Sequence, residues 1–356
     1  MRSRWFFGLA LVAAVPFTLA ACGGGSKGGT INGAGATFPQ PVYDEWGSRF
    51  KDKADTTVNY NPIGSGGGVA QFTAGTVDFG ASDPPLKPEE IAAAKKKGDP
   101  QMVPTVFGAV TVAYNVSGLE KGLKLDGATV ADMFLGKVKK WNDPAIASLN
   151  PGVTLPDKTI TIVHRSDESG TTKLFTTFLA DYSTEWKNGP GTDKTVKWPT
   201  GTGAKGNAGV AGAIKQTDGA VGYVEEAYAL QNNFTTADVK NAAGKFVAPT
   251  LASTTAAGAS VKVPANLGID AINAPGATSY PIASATHLLV YKDMCKAGLS
   301  KSKAEDVKAW LDYALGDGQS VAPQLQYAPL PQSILTKAKA AVAALQCNGS
   351  AVKAST

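Results

Sequence analysis

One short segment, residues 164–172, combines residue types that could bind an oxyanion. It reads His-Arg-Ser-Asp-Glu-Ser-Gly-Thr-Thr and precedes an apolar-periodic run over Leu174–Leu179. A helix that begins at Ser169 would point its free backbone N–H groups, and the positive end of its dipole, at one place. Arg165 and the hydroxyls of Ser169 and Thr171 can converge there. The segment therefore predicts a site for a small oxyanion, with an ordinary capped helix as the alternative.

Three further segments share this design, in which a strand end is followed by a turn rich in glycine or hydroxyl residues. Their glycines would let backbone amides approach an anion, and Thr37 and Ser65 supply hydroxyl donors. Each one singly is typical of a simple turn, but together they favour an oxyanion receptor. The segments are Gly33-Ala-Gly-Ala-Thr-Phe-Pro39, Gly64-Ser-Gly-Gly-Gly-Val69 and Asp78-Phe-Gly-Ala-Ser-Asp-Pro-Pro-Leu86.

Asp83 would place a carboxylate in a site that is predicted to hold an anion. Hydrogen phosphate keeps a proton near neutral pH and can donate it to a carboxylate, whereas sulfate has none to give. A buried acceptor without a donor costs roughly 1–3 kcal/mol, and more when it is charged. Asp83 is therefore predicted to exclude sulfate. Without the other segments, a helix cap before Pro84 would be the preferred interpretation.

The first 21 residues predict an export signal. An apolar run over Trp5–Ala20 follows a basic start, and Pro16 interrupts it, which makes the run a poor membrane span. The run ends in Leu-Ala-Ala-Cys22 and a glycine-rich stretch, a pattern that resembles the bacterial lipobox. Acyl chains on Cys22 would hold the protein at the extracytoplasmic face of the cell membrane, with residues 22–29 as a flexible tether. A plain secretory signal is the alternative.

Length and charge narrow the possible function classes. The chain has 356 residues, with 34 basic against 29 acidic side chains. A length of this order suggests two lobes rather than one hydrophobic core. So small a basic excess argues against nucleic acid as the partner.

The remaining cysteines, Cys295 and Cys347, are predicted to form a disulfide because the chain is exported. The bond would join the C-terminal helix, around Ile334–Leu345, to the segment after a strand over Thr286–Lys292. We expect a structural role for it.

Short β-branched runs alternate with helical runs along the chain, which predicts an α/β fold with mostly parallel sheets. Ligands in such sheets lie at the carboxyl ends of strands, near helix N-termini. Residues 231–277 are polar and rich in small residues, and predict a loosely structured elaboration. The predicted strands are Thr57–Tyr60, Val77–Gly80, Gln101–Asn115, Ile160–Val163, Ala220–Val224 and Thr286–Tyr291. The predicted helices are Pro41–Lys51, Gly67–Ala74, Pro88–Lys97, Val130–Leu135, Thr172–Tyr182, Ala208–Lys215, Ser302–Leu315 and Pro331–Leu345.

Two more motifs complete an ordered set. They are Phe134-Leu-Gly-Lys-Val-Lys-Lys-Trp-Asn-Asp-Pro144 and Ala220-Val-Gly-Tyr-Val-Glu225. Together with the four segments above, and in the same order over Thr30–Pro331, they resemble the periplasmic-type phosphate-binding proteins of bacterial ABC phosphate transporters. The resemblance covers most of the exported chain.

This resemblance implies a two-lobed clamshell, the type II periplasmic-binding-protein fold, with two hinge crossings. Residues 30–105 and 281–356 would form lobe one, and residues 106–280 lobe two, with hinges near Pro104-Thr105 and Tyr280-Pro281. The protein would bind dehydrated inorganic phosphate between the lobes with high affinity and deliver it to the membrane permease subunits of an ABC transporter. No covalent step and no cofactor are implied.

The resemblance also implies roles for individual residues. Asp83 would accept the proton of the phosphate, and Asp167 would pair with Arg165 and orient it. His164 stands where many members of the family carry arginine, and Glu168 replaces a common glycine; Glu168 is expected to point to solvent and to affect steering. The implied phosphate ligands are the amide and hydroxyl of Thr37, the amide of Phe38, Ser65, Asp83, Arg165, and the helix-start donors Ser169, Gly170 and Thr171.

An enzyme is the first rival interpretation. Ser169 with His164 or His287 and Asp83 would be the residues of a hydrolase triad, but Ser169 lacks the Gly-x-Ser-x-Gly context. The two histidines are also far apart in sequence and outside any cysteine cluster, so no metal site is predicted.

Nucleotide binding and a purely adhesive role are the other rivals. Gly201–Gly206 matches Gly-x-Gly-x-x-Gly, and Asn207 could cap the helix that follows. Pro199 precedes this motif and the strand before it is poor, so we interpret it as a structural loop or a part of the cleft rim. An adhesive surface lipoprotein would need no convergent donors.

Overall fold

The computed structural model describes residues 28–119 and 122–354. The predicted signal peptide, the lipidation site Cys22 and the first part of the predicted tether lie outside these residues. Across the described ranges, every helix is too short or too polar to traverse a bilayer.

Fifteen strands occur in the described part of the chain. They are β1 Thr30–Gly35, β2 Thr57–Asn61, β3 Phe79–Ser82, β4 Pro100–Asn115, β5 Lys124–Leu125, β6 Thr161–Arg165, β7 Thr202–Ala204, β8 Ala220–Glu225, β9 Thr235–Thr236, β10 Asp238–Lys240, β11 Phe246–Val247, β12 Ala271–Ile272, β13 Ile282–Tyr291, β14 Gln346–Cys347 and β15 Ser350–Ala351.

The helices alternate with these strands. They are α1 Gln40–Ala54, α2 Ser65–Ala74, α3 Pro88–Ala94, α4 Gly127–Phe134, α5 Pro144–Ala147, α6 Gly170–Tyr182, α7 Thr184–Asn188, α8 Gly206–Gln216, α9 Glu226–Gln231, α10 Leu251–Ser260, α11 Lys301–Leu315, α12 Gly318–Val321 and α13 Gln332–Ala343, with a 3₁₀ turn over Ala322–Leu325. All eight predicted helices are present, with ends that differ by a few residues.

The main sheet has the strand order β2-β1-β3-β13-β4-β8-β6-β7. β1 is parallel to β2 and β3, and β6 is parallel to β7 and β8. The central strands β4 and β13 are antiparallel to each other and to their outer neighbours. The prediction of mostly parallel sheets is therefore wrong at the centre. The chain passes between the two halves along β4 and returns along β13, so these two strands must run in opposite directions.

The two halves of this sheet define the two lobes. Lobe one is built on β1, β2 and β3, and lobe two on β6, β7 and β8. β4 serves both halves, because Pro100–Ala109 pair with β13 whereas Val110–Asn115 pair with β8. Nearly all residues of β4 and all residues of β13 are buried.

Each lobe has an aromatic centre that holds its helices on the sheet. In lobe one, α1 places Val42, Tyr43, Trp46 and Phe50 on a single buried face, and Trp310 of α11 packs edge-on against Trp46 and Phe50. In lobe two, the ring of Phe175 from α6 stacks on Tyr223 of β8, and Phe134 of α4 packs against both rings. These contacts pack the helices onto the sheet in each lobe.

Residues 231–277 are more ordered than the sequence predicts. α10 begins with a capping box between Thr250 and Ser253. Gly258 lies so close to Phe107 of β4 that a Cβ placed there would be 3.1 Å from the ring. Small residues in this segment allow close packing, which the polar composition concealed. Cys295 and Cys347 form the predicted disulfide, with Cα atoms 4.7 Å apart, just after α13.

Candidate functional site

The predicted site residues come from strand ends and helix starts of both lobes. The turn after β1 carries Thr37 and Phe38, α2 begins at Ser65, β3 runs into Asp83, and α6 begins after Ser169. This is the geometry in which parallel strands deliver their carboxyl ends to a shared edge. The predicted polar side chains are at most 5% exposed, and they belong to Thr37, Ser65, Asp83, Arg165, Ser169 and Thr171.

Asp83 is the buried acceptor in lobe one. Its Oδ1 accepts a hydrogen bond from Thr286 Oγ1 at 2.9 Å, and its Oδ2 accepts one from Ser65 Oγ at 3.2 Å. Burial raises the pKa of Asp83 to about 7, against the opposing effects of these two hydrogen bonds and of the charges of Arg165 and Lys194. The carboxyl group therefore titrates in the range where hydrogen phosphate also exchanges a proton.

Thr286 reaches Asp83 because β13 pairs with β3, and the antiparallel register that sets His287 opposite Ser82 places Thr286 beside Asp83. The pairing of β13 with β4 is irregular at the same position. The register between β13 and β4 shifts between Thr286 and His287, so that Thr105 is an extra residue on β4. Pro104, which has no N–H to donate to the ladder, stands opposite His287. Beside this bulge, Thr286 bonds the Asp83 carboxylate and His287 Nδ1 bonds the Asp83 backbone carbonyl at 3.1 Å.

Two glycines mark where the lobes touch. A Cβ placed on Gly170 would lie 2.3 Å from both Asp83 Oδ2 and Ser65 Oγ, and one on Gly66 would lie 2.0 Å from Glu168 Oε2. Gly66 N also donates to the Glu168 carbonyl at 3.0 Å. The start of α6 therefore lies directly against the acceptor of lobe one. The Glu168 side chain is exposed, as expected, but it lies against Gly66 rather than free in solvent.

Arg165 is held by a bidentate pair with Asp167. Nε and Nη2 of the guanidinium donate to Oδ1 and Oδ2 at 2.7 and 2.5 Å. Gly206 N adds a third hydrogen bond to Asp167 at 3.0 Å. Burial acts to raise the pKa of Asp167, but the Arg165 guanidinium outweighs it and holds that pKa below its usual value. Nη1 remains directed to Thr171 Oγ1, at 3.3 Å.

Asn207 joins donors from opposite lobes. Its backbone N and its Nδ2 donate to Thr37 Oγ1 at 3.2 and 2.9 Å, and Nδ2 also donates to Thr171 Oγ1 at 3.2 Å. The amide oxygen accepts from Glu225 N at 3.1 Å. Sequence reasoning considered Asn207 only as a helix cap. Its position directly after the glycine motif at residues 201–206 was the sequence feature that could have indicated a role for Asn207 in the site.

Two tyrosines hold the peptide groups of the β1–α1 turn from behind. Tyr228 Oη donates to the Thr37 carbonyl at 2.6 Å, and Tyr327 Oη donates to the Phe38 carbonyl at 2.7 Å. Tyr327 Oη also lies 2.8 Å from Glu225 Oε2, and burial raises the pKa of Glu225 well above its usual value.

Ser169 caps α6. Its Oγ accepts from Thr172 N at 3.0 Å, and its backbone N donates to the Lys194 carbonyl at 2.9 Å. The first amides of a 13-residue helix, those of Gly170 and Thr171, thus face the site without an intrahelical acceptor. This arrangement of free backbone N–H groups favours the binding of an anion.

Two ion pairs cross the rim of the cleft. Lys87 Nζ of lobe one lies 2.7 Å from Asp193 Oδ1 of lobe two, and Lys194 of lobe two pairs with Glu90 of lobe one. The Lys194 side chain is 7% exposed, so its charge acts in a largely desolvated place. Both pairs connect the two lobes, and the charge of Lys194 acts on Asp83.

Neither histidine is placed to activate Ser169. The Nε2 atom of His287 accepts from Ile269 N at 3.1 Å, and its Nδ1 faces backbone carbonyls. The ring of His164 stacks on Trp198, and its Nδ1 bonds the Arg165 carbonyl. Within the described residues, therefore, no hydrogen bond joins a histidine to Ser169. The described ranges also contain no group of three residues that could hold a metal ion.

This chain is similar to known proteins over most of its length. The profile of a family described as a PBP superfamily domain matches residues 20–317. The phosphate-binding protein PstS of Pasteurella multocida is 45% identical over 314 residues, which make up 87% of this chain and 89% of that protein. PstS of Haemophilus influenzae is 42% identical over 317 residues, or 88% of this chain and 92% of that protein.

Solved structures share the fold. A putative phosphate ABC transporter substrate-binding protein with bound phosphate, from Clostridium perfringens, has a TM-score of 0.62 at 18% identity and covers 85% of this chain and 100% of that one. The sheet order and these likenesses confirm the predicted two-lobed α/β clamshell with two crossing strands.

Proposed function

We propose that this chain, which belongs to the PBP superfamily and within it to the phosphate-binding proteins named PstS, is an extracytoplasmic receptor for inorganic phosphate. It would deliver phosphate to the permease of an ABC transporter. The observation that carries the proposal is the gathering of donors from both lobes around one buried carboxyl group, Asp83.

The site can surround a tetrahedral oxyanion without covalent chemistry. The amides of Thr37, Phe38 and Gly170 would donate to its oxygens, together with the Arg165 guanidinium. The hydroxyls that add to this set are those of Thr37, Ser169 and Thr171, and that of Ser65 once its proton turns from Asp83 Oδ2 to the anion. Charge-assisted hydrogen bonds of this kind are roughly twice as strong as neutral ones. No nucleophile–base pair is part of the proposal, so phosphate would be bound and released unchanged.

Asp83 supports the choice of phosphate over sulfate. A monohydrogen phosphate can donate its proton to the carboxylate, while sulfate would place a bare oxygen against it. The Thr286 hydroxyl occupies Oδ1, which leaves Oδ2, now bonded only by Ser65, as the atom that would receive the proton of the ligand.

Closure of the lobes would complete the site. Phosphate contacts come from both sides of the cleft, so the closed form binds more tightly and ligand shifts the population towards it. The crossing strands β4 and β13 are the only long connections of the sheet between lobes in the described residues. We propose the boundaries 30–105 with 281–356 for lobe one and 106–280 for lobe two. The bulge at Thr105, beside one proposed hinge, supports this division.

We also propose that acyl chains on Cys22 anchor the protein at the extracytoplasmic face of the cell membrane. The supporting observation is the lipobox-like sequence that ends at Cys22, followed by a glycine-rich stretch. Replacing Cys22 with serine should move the expressed protein from the membrane fraction to the soluble fraction. Membrane association that survives this change would contradict the proposed lipid anchor. That outcome would not count against the proposed phosphate binding.

Calorimetric titration of the exported chain with phosphate, sulfate and arsenate tests the central proposal. We expect reversible one-to-one phosphate binding, no sulfate binding at equal concentration, and no hydrolysis of a phosphomonoester. Binding of sulfate as tight as that of phosphate would refute the assigned role of Asp83. Absence of phosphate binding would refute the proposed function as a whole.

A further inference from the structure

We propose that Asn207 is a positioning residue, which turns the hydroxyl groups of Thr37 and Thr171 so that both present their protons to the bound anion. The inference rests on the proposed phosphate site and names a residue that acts through two others rather than by touching phosphate. It depends on the hydrogen bonds around one fully buried amide side chain.

The orientation of the Asn207 amide is determined by the backbone of β8. Glu225 N is a donor, so the amide atom that faces it at 3.1 Å must be the oxygen. The NH₂ group consequently points the other way, towards Thr37 Oγ1 at 2.9 Å and Thr171 Oγ1 at 3.2 Å. An inverted amide would set its NH₂ against the Glu225 N–H and leave that buried donor unpaired.

Each threonine hydroxyl is then left with only a proton to offer. Thr37 Oγ1 accepts from both the backbone N and the Nδ2 of Asn207, and Thr171 Oγ1 accepts from Arg165 Nη1 and the same Nδ2. A hydroxyl has two lone pairs and one proton. Since two N–H groups occupy the lone pairs, the remaining O–H can act only as a donor.

This arrangement gives the site two chemically different sides. The side that Asn207 controls consists of donors, so an anion oxygen that carries a proton would meet another proton there. The opposite side has Asp83, whose Oδ2 can accept. A monohydrogen tetrahedral anion would thus be bound in one orientation, with its protonated oxygen at Asp83 and its bare oxygens at the threonines.

Asn207 also makes the donor side of the site depend on closure of the two lobes. Thr37 lies in lobe one, whereas Thr171 and Asn207 itself lie in lobe two, on α6 and α8. The two protons of one NH₂ group therefore bond hydroxyls of different lobes. The full donor side exists only when the lobes have closed.

A double-mutant cycle tests the inference. Inorganic phosphate is titrated calorimetrically into the parental exported chain, Asn207→Ala, Thr37→Val, Thr171→Val and the two combinations with Asn207→Ala. We expect Asn207→Ala to weaken binding by about 10-fold or more in the parental chain, and by only about 3-fold where one of the two threonines is already valine, because the other threonine still depends on Asn207. Losses that multiply in both combinations would overturn the inference, because Asn207 would then act independently of the hydroxyls.

A matched control separates this role from ordinary structural support. Asn241 is also buried, and its amide bonds only backbone groups, among them the carbonyls of Gly276 and Ser279. Asn241→Ala should lower the unfolding midpoint at least as much as Asn207→Ala but leave phosphate affinity within about 2-fold of parental. Equal losses of affinity in both variants would contradict a specific role for Asn207.

A second variant covers the case in which Asn207→Ala does not fold. Asn207→Asp keeps an oxygen for Glu225 N but replaces the NH₂ donor with an acceptor, which would attract the threonine protons. At pH 8 this variant should bind phosphate about 30-fold or more weakly than the parental chain does. Parental affinity in this variant would refute the inference. Failure of the parental chain itself to bind phosphate would instead refute the proposed function.

Discussion

Replacing Gly170 with alanine should prevent the lobes from closing on phosphate. A methyl group there would lie 2.3 Å from both Asp83 Oδ2 and Ser65 Oγ, which is more than 1 Å short of an ordinary non-bonded contact of about 3.5 Å. Neither oxygen can retreat cheaply, because Thr286 and Ser65 hold the Asp83 carboxyl in a buried place. The lobes must therefore separate by about the missing distance.

The size of the effect follows from the contacts that such a separation breaks. Among the neutral hydrogen bonds that cross between the lobes are three that this separation would break: Gly66 N to the Glu168 carbonyl, and two from Asn207 to Thr37 Oγ1. At about 1 kcal/mol each, their loss weakens closure by about 3 kcal/mol, or more than 100-fold in phosphate affinity. Lost contacts to phosphate itself would add to this figure.

Calorimetric titration with phosphate measures the effect, and Gly212→Ala serves as the matched control. Gly212 lies within α8, and a Cβ placed there meets nothing within 4 Å. Its replacement should leave phosphate affinity unchanged and raise stability slightly. If Gly170→Ala is folded and binds phosphate within about 3-fold of the parental chain, the proposed closure around Gly170 is wrong.

Three further changes test other parts of the structure. Asp83→Asn should weaken discrimination against sulfate more than it weakens phosphate binding, and competition titrations measure both. The pKa of Asp83 is raised from 3.8 to about 7 in the fold, so its contribution to the free energy of unfolding of the ligand-free chain should fall as pH rises between these values. Urea titrations should therefore show that stability falls less steeply with pH in Asp83→Asn. The remaining pH dependence is due to Glu225 and Glu226, whose pKa values burial also raises, and to His287, whose lowered pKa acts in the opposite direction. Arg165→Ala should weaken phosphate binding by about 10-fold or more, equivalent to about 1.4 kcal/mol, and full retention of affinity would remove Arg165 from the site. Replacing both Cys295 and Cys347 with serine should lower the free energy of unfolding by about 2–4 kcal/mol, because the disulfide closes a loop with a sequence separation of 52. Phosphate affinity should not change, because the bond lies near the C-terminal end of the chain. A large loss of affinity would contradict a purely structural role for the disulfide.

Local sequence was sufficient to predict the donors at the helix starts. The α6 cap is an example, since Ser169 and the residues that follow it are consecutive and a helix N-terminus presents consecutive amides at one point. The turn before α1 and the start of α2 follow the same rule. β1 itself was missed, because Gly33 and Gly35 interrupt its β-branched pattern.

The residues that orient the site could not be found in the same way. Thr286 reaches Asp83 across a sequence separation of 203, and Tyr228 reaches Thr37 across 191. Each is a common residue type in an ordinary strand or helix, and nothing in its local pattern sets it apart. Its role depends on which strands and helices become neighbours in the fold, as β13 and β3 do at Asp83.

The sequence by itself predicted an export signal, the order of the motifs, the cysteine pair and a set of candidate donors for an anion, because these depend on composition and on contacts between near neighbours in the chain. Tertiary structure alone decided that donors from both lobes surround Asp83, that burial shifts the pKa of its carboxyl group, and that Asn207 lies between two threonines of different lobes. Desolvation and hydrogen-bond direction arise only when segments far apart in sequence pack together, so these properties exist in the fold and not in any single segment.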